Sequence, residues 1–106
     1  MTKETNKTPV KKKIPDNVVF VGRKEVMSYV MAVVTQFGNG QKTVTLKARG
    51  NTISRAVDCS EIVRNRFISD LKDTQDIKAS TENIKESDGF IKPISCIEIT
   101  LSKQSK

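Results

Sequence analysis

"TVTLKARGNTISRAVDCSEIVRNRF", residues 43–67, changes its hydrophobic period part-way along, and that change decides the fold. Through "TVTLKA" (43–48), Val44, Leu46 and Ala48 alternate with polar residues, the period-two pattern of a strand with one face buried. Gly50 and Asn51 then punctuate the chain. From about residue 52 to 67, Ile53, Ala56, Val57, Ser60, Val63 and Phe67 recur at helical spacing, widened by Cys59 and Ile62, which predicts a helix with that stripe turned inward.

The same grammar occurs upstream. "NVVFV" (17–21) is a continuous β-branched and aromatic run, as expected of a central strand covered on both faces. After it, Val26, Val30, Val33, Val34 and Phe37 mark one buried helical stripe, which "GNG" at 38–40 terminates with residues that tolerate the left-handed conformation. Downstream the grammar changes. After a polar stretch near 69–75, Ile77, Ala79 and Thr81 share one parity, and Ile97, Ile99 and Leu101 alternate inward. These read as a hairpin whose tip is "ESDG" (86–89), because Asp-Gly supplies the positive φ values of a tight turn. Ile84 has the opposite parity from Ile77, which predicts a bulge or an arm leaving the body of the sheet. The order is therefore βαβαββ, an α+β two-layer sandwich with two helices on one sheet and an extended hairpin arm.

At 106 residues the chain is one domain's worth. Residues 1–15, "MTKETNKTPVKKKIP", are too polar and Pro-interrupted to fold alone and read as a disordered basic tail, leaving 16–106 as the domain. The net charge of +7 suggests a polyanionic partner. Lys3, Lys7, Lys11, Lys12 and Lys13 against Glu4 put +4 of it in the tail and leave +3 for the rest. Histidine is absent, which removes the usual general base, His-dependent triads and imidazole zinc sites. Cys59 and Cys96 are too few and too far apart for a CxxC site and read as small buried hydrophobes in a reducing interior. With no secretory h-region and no apolar run of membrane-spanning length, the chain reads as intracellular and soluble, without cofactor or enzymatic chemistry. Aromatics are only 5% with no Trp, so ring stacking is not the main binding chemistry.

Cations gather where strands give way to helices, at "VGRKEV" (21–26) and "KARGNTIS" (47–54). A helix N-terminus carries a partial positive charge, so Lys or Arg there costs a few tenths to about 1 kcal/mol. Arg23 and Lys24 sit at the first such start, and Arg49 and Arg55 surround the second. Neither has a capping box, since Arg55 occupies the position three beyond Thr52. A phosphate would relieve both sites by accepting from free N–H groups and from the flanking cations. The alternative is solvated loop charge, with Gly22 and Gly50 serving turn geometry. "KKK" at 11–13 and the hairpin cations Lys78, Lys85 and Lys92 could add phosphate contacts, while Phe90 and Ile91 either pack on a neighbouring strand or ride a ribbon along a groove. Phe67 is either core or a subunit contact.

"NVVFVGRKEVMSYVMAVVTQF", "TLKARGNTISRAVD" and "EIVRNRF" resemble the Alba family of archaeal chromatin proteins over residues 16 to 101. The resemblance implies a domain similar to the C-terminal domain of a translation initiation factor. It further implies a homodimer, or a heterodimer with a paralogue, that binds double-stranded DNA and often RNA, coats, bridges or compacts DNA, and is nucleoid-associated in the cytoplasm. It places the family's basic pair on Arg23 and Lys24, its basic loop on Lys47, Ala48, Arg49 and Gly50, its minor-groove arms on the hairpin with Lys85 and Lys92, and dimer–dimer contacts on Asn65, Arg66 and Phe67. Three departures stand out. A lysine acetylated in some relatives is Arg23 here, leaving Lys24 as the modification candidate. Asn51 stands where Arg is frequent and offers a helix cap. The arm tip is also poorer in arginine. A role in RNA metabolism, as in ribonuclease P particles, is the nearest alternative, and a small phosphometabolite enzyme is a third reading that lacks any residue to supply chemistry.

Overall fold

The computed structural model describes residues 17–71 and 75–103. The tail read at 1–15 lies outside them. The element order is β1 (Val18–Phe20), α1 (Val26–Gly38), β2 (Thr43–Arg49), α2 (Ile53–Ile62), β3 (Gln75–Lys85) and β4 (Ile91–Ser102), joined by short 3-10 turns at Gly50–Thr52 and Ser69–Leu71. The sheet runs β1-β2-β4-β3. β1 is parallel to β2, a pairing that requires a crossover, which α1 supplies, whereas β4 runs antiparallel to both neighbours. This is the βαβαββ α+β architecture the period change predicts.

One face of the sheet carries the core. Val44, Leu46 and Ala48 of β2 lie beside Leu101, Ile99 and Ile97 of β4, and α1, α2 and the turn after α2 cover them with Val30, Val33, Phe37, Ala56, Cys59 and Val63. Leu46, Ile99 and Leu101 are fully buried, each contributing about 1.5–3 kcal/mol by leaving water. Buried Ser60 is satisfied by donating to Gln75 Oε1 at 2.6 Å, which ties α2 to the start of β3.

Several expectations need correction. β1 is a three-residue edge strand, and its Phe20 is exposed on the sheet face opposite the helices, because only Val19 registers with inward Leu46. α2 stops at Ile62 and passes into a π-turn, Val63–Phe67, closed by Ile68 N–H donating to Val63 O at 2.8 Å. Phe67 is therefore exposed; Val57, within the regular helix, lies at the exposed edge of the stripe, and Ala56, Cys59 and Ser60 hold its inner side. The stretch near 69–75, read as polar, contributes fully buried Leu71 to the core. Ile77 has the inward parity yet is exposed, because neither helix extends over β3 at that point. Cys96 is half-buried rather than buried.

The hairpin has no bulge. Its register is unbroken from Gln75↔Leu101 to Lys85↔Ile91, while β2 stops pairing at Arg49↔Cys96. From Thr81↔Ser95 outward, five residue pairs form a free two-stranded arm of about 17 Å. Its tip is a three-residue loop, Ser87–Gly89, closed by Glu86 N–H to Phe90 O at 2.8 Å and Gly89 N–H to Glu86 O at 2.9 Å, with Gly89 at φ 91°.

Candidate nucleic-acid interface

Parallel pairing of β1 with β2 puts the C-terminal ends of both strands, and so both helix starts, at one end of the sheet. At the first junction Arg23 and Lys24 occupy an exposed bend before α1, and Lys24 N–H donates to Tyr29 Oη at 3.1 Å. Glu25 is the N-cap but makes no side-chain cap, and the first turn holds no acid. At the second, Arg49 ends β2, Gly50 turns at φ 62°, and the 3-10 turn leads into α2. Thr52, not Asn51, is the N-cap, and it too caps no helix N–H. Its hydroxyl instead donates backward to Arg49 O at 2.8 Å. The cap expected of Asn51 is thus absent because the intervening turn displaces it from the N-cap position; its side chain is exposed.

The two junctions are joined. Arg55 Nη1 donates to Gly22 O at 3.1 Å, so a side chain of α2 holds the backbone of the loop before α1. Arg23, Lys24, Arg49, Gly50, Asn51 and Arg55 consequently share one end of the molecule. Lys47 lies on the open sheet face beside them, where a cavity of about 690 Å³ is lined by Phe20, Lys47, Arg49, Glu82, Cys96 and Glu98 among others. Lys85 and Lys92 lie apart on the arm. Asn65, Arg66 and Phe67 lie in the π-turn past the far end of α2, with Asn65 Nδ2 donating to Glu61 Oε1 at 3.3 Å and Phe67 45% exposed.

Among the described residues no group of three or more metal-ligating side chains occurs, and no helix is long and apolar enough to cross a membrane. Both cysteines are free, and burial pushes the Cys59 thiol up to about 12. What the junctions can do chemically is hold anions, through two sets of uncapped N–H groups with guanidinium and ammonium groups around them.

The Alba family model matches residues 17–81. The chain belongs to the Alba family. It is 55% identical over 89 residues to DNA/RNA-binding protein Alba 1 of Archaeoglobus fulgidus, covering 84% of this chain and 98% of the relative. It is 52% identical to DNA/RNA-binding protein Alba of Methanocella arvoryzae, covering 83% and 91%. The solved structure of Alba from Thermoplasma volcanium superposes with a TM-score of 0.73 at 46% identity, covering 82% of this chain and all of that one.

On this Alba scaffold the sequence reading missed the acids. Lys47 Nζ lies 3.7 Å from Glu98 Oε2, Lys92 Nζ lies 4.0 Å from Glu86 Oε2, and Arg49 donates to Glu82. Strand register alone brings these partners together, so nothing in local sequence signals them. Charge is also divided in a way the total hides: residues 17–71 hold eight cations against four acids, whereas residues 75–103 hold four against five. The excess positive charge of the described residues therefore belongs to the junction-bearing part of this Alba chain and not to its hairpin.

Proposed function

We propose that this protein binds double-stranded nucleic acid, DNA foremost and RNA with it, largely without regard to sequence, by gripping backbone phosphates at its paired strand–helix junctions. The observation that carries the reading is the Arg55–Gly22 hydrogen bond, which holds two uncapped helix starts side by side with Arg23, Lys24 and Arg49 around them. Helix N-termini and guanidinium groups together favour phosphate over carboxylate because phosphate offers more acceptors to a fork of donors. The names of the relatives, DNA/RNA-binding proteins, agree with it. The role is non-enzymatic: the protein coats, bridges or compacts the chromosome in the cytoplasm. Lys47, Asn51, Lys85 and Lys92 lend secondary contacts, and Lys24, exposed within the grip, is the place where acetylation weakens it.

The working form is a dimer. Exposed Ile77 and Val57, on the helix side of the sheet where none of the described elements covers them, support pairing with a second copy or a paralogue. Phe67, exposed beside Asn65 and Arg66, supports a further contact between dimers.

The test is a salt titration of the intact protein with duplex DNA and structured RNA of equal length in competition. Neutralised phosphates release counterions, so log K falls against log[salt] with a slope of about −0.9 per contact on B-DNA. A salt-insensitive interaction overturns the phosphate grip, and preference for RNA by orders of magnitude reassigns the protein to RNA metabolism.

A further inference from the structure

We propose that the open face of the sheet carries a second site, a pocket for one unpaired ribonucleotide of single-stranded RNA; the inference rests on the nucleic-acid-binding reading above. Strand register lays one row of side chains across the face opposite the helices: Phe20 of β1, Lys47 of β2, Glu98 of β4 and Lys78 of β3. β1 ends at Phe20, whereas β2 and β4 stay paired as far as Arg49↔Cys96. The sheet therefore loses a strand beside the ring, and the cavity of about 690 Å³ opens at that corner. This is the size of a small-molecule site, for which about 300–1,000 Å³ is usual.

Phe20 supplies the cavity's ring, 55% exposed, and the rest of the lining narrows the ligand to a nucleotide. Lys47 and Arg49 stand on β2, and Glu98 and Glu82 face them from β4 and β3. A ligand that is anionic throughout is repelled by the two carboxylates. A nucleotide matches the division of charge: its base stacks on Phe20, its phosphate meets the cations, and its ribose hydroxyls donate to a carboxylate. Glu98 is the carboxylate free to take the ribose. Glu82 is engaged by Arg49, whereas the Lys47–Glu98 pair is long, 3.7 Å, with the two side chains 40% and 48% exposed.

A base inside a duplex has both faces covered by its neighbours, so only an unpaired base can stack on Phe20. One ring accounts for one base. Four-stranded sheets elsewhere read single-stranded RNA in this way, through aromatic side chains on their open face. The two sites divide the work: the junctions hold backbone phosphates of any helix, and the pocket adds a base and a sugar where the strand is unpaired.

The test measures fluorescence anisotropy of labelled 12-nucleotide oligo(U), oligo(dU) and a 24-base-pair DNA duplex with the wild-type protein and with Phe20→Leu, Phe20→Tyr and Glu98→Gln. Wild type is expected to bind oligo(U) more tightly than oligo(dU). Phe20→Leu is expected to weaken oligo(U) about five-fold or more while duplex affinity stays within about two-fold of wild type, and Phe20→Tyr, which keeps the ring, is expected to bind oligo(U) like wild type. Glu98→Gln should reduce the preference for oligo(U) over oligo(dU), a ratio in which the change in net charge cancels. The pocket is overturned if Phe20→Leu binds oligo(U) as wild type does, if it weakens the duplex equally, or if Glu98→Gln leaves the sugar preference unchanged. A fall in the solution mass of Phe20→Leu assigns the face to a contact between protein copies and equally overturns it. A wild type that binds the duplex with steep salt dependence but not oligo(U) fails the pocket alone, whereas one that binds neither fails the nucleic-acid reading itself.

Discussion

Replacing Glu82 by Gln removes the carboxylate that engages Arg49 at the root of the arm while keeping the size and much of the hydrogen-bonding capacity of the side chain. Both partners are roughly half exposed, 58% for Arg49 and 53% for Glu82, so water and salt screen the pair and its contribution to folding is about 0.2–1 kcal/mol. A phosphate reaching Arg49 must first displace that carboxylate. Removing it returns the same energy to binding, an expected gain of about 1.5- to 5-fold in affinity per protomer. Fluorescence anisotropy with a labelled duplex measures the gain, and urea unfolding measures the cost, which is not to exceed about 1 kcal/mol. The gain should shrink between 50 and 200 mM salt, since the competing pair is itself screened. Arg49→Ala completes the cycle: alone it weakens DNA and RNA alike and flattens the salt slope by about 0.9, and in its background Glu82→Gln should add little. Unchanged or lower affinity for Glu82→Gln refutes the competition, as does a gain of the same size without Arg49, which would be a net-charge effect.

Three further outcomes test the fold around the site. Leu46→Ala, at a fully buried position of β2, is expected to cost about 2–5 kcal/mol in urea unfolding. Gly50→Ala should cost about 1–2 kcal/mol through backbone strain alone, since φ is 62° and the added Cβ would meet only Ile94 Cγ2 at an ordinary 3.8 Å; a neutral result would mean that the turn relaxes. At pH 8 a thiol reagent should label Cys96 but not Cys59, whose thiol stays neutral until about 12, and labelling of both in the native state would place Cys59 outside the core.

Local pattern carries the inward alternation of Val44, Leu46 and Ala48 and the α1 stripe, because both periods follow from backbone geometry within one element. It also locates Gly50 and Gly89, whose positive φ only a few residue types adopt readily. It fails where the answer depends on a neighbour far along the chain. "NVVFV" cannot say how many strands flank it, and an edge strand with exposed Phe20 reads the same as a central one. The end of the α2 stripe depends on where the π-turn interrupts the helix, which turns Phe67 outward, whereas Val57 lies at the exposed edge of the regular helix. Ile84 breaks parity without a bulge because the free arm has no core side to obey. The lack of a capping box at both helix starts is legible, but the failure of Asn51 to cap the second, the Arg55–Gly22 bond between them and the acids paired to Lys47 and Arg49 are products of the folded backbone and its register. The Alba resemblance closes most of the gap in fold and none of the gap in those pairings.

The hydrogen bond from Arg55 to Gly22 fixes more than a loop. Because it spans the two helix starts, it ties the proposed anion sites to each other directly, in addition to the β1–β2 pairing that already brings both junctions to one end of the sheet. A grip of fixed span works like a caliper. On the proposed phosphate grip, a fixed span favours the helix whose phosphate spacing matches it, and loosening the strut with Arg55→Lys is expected to change the relative affinity for A-form and B-form helices, which the duplex-versus-RNA competition reads.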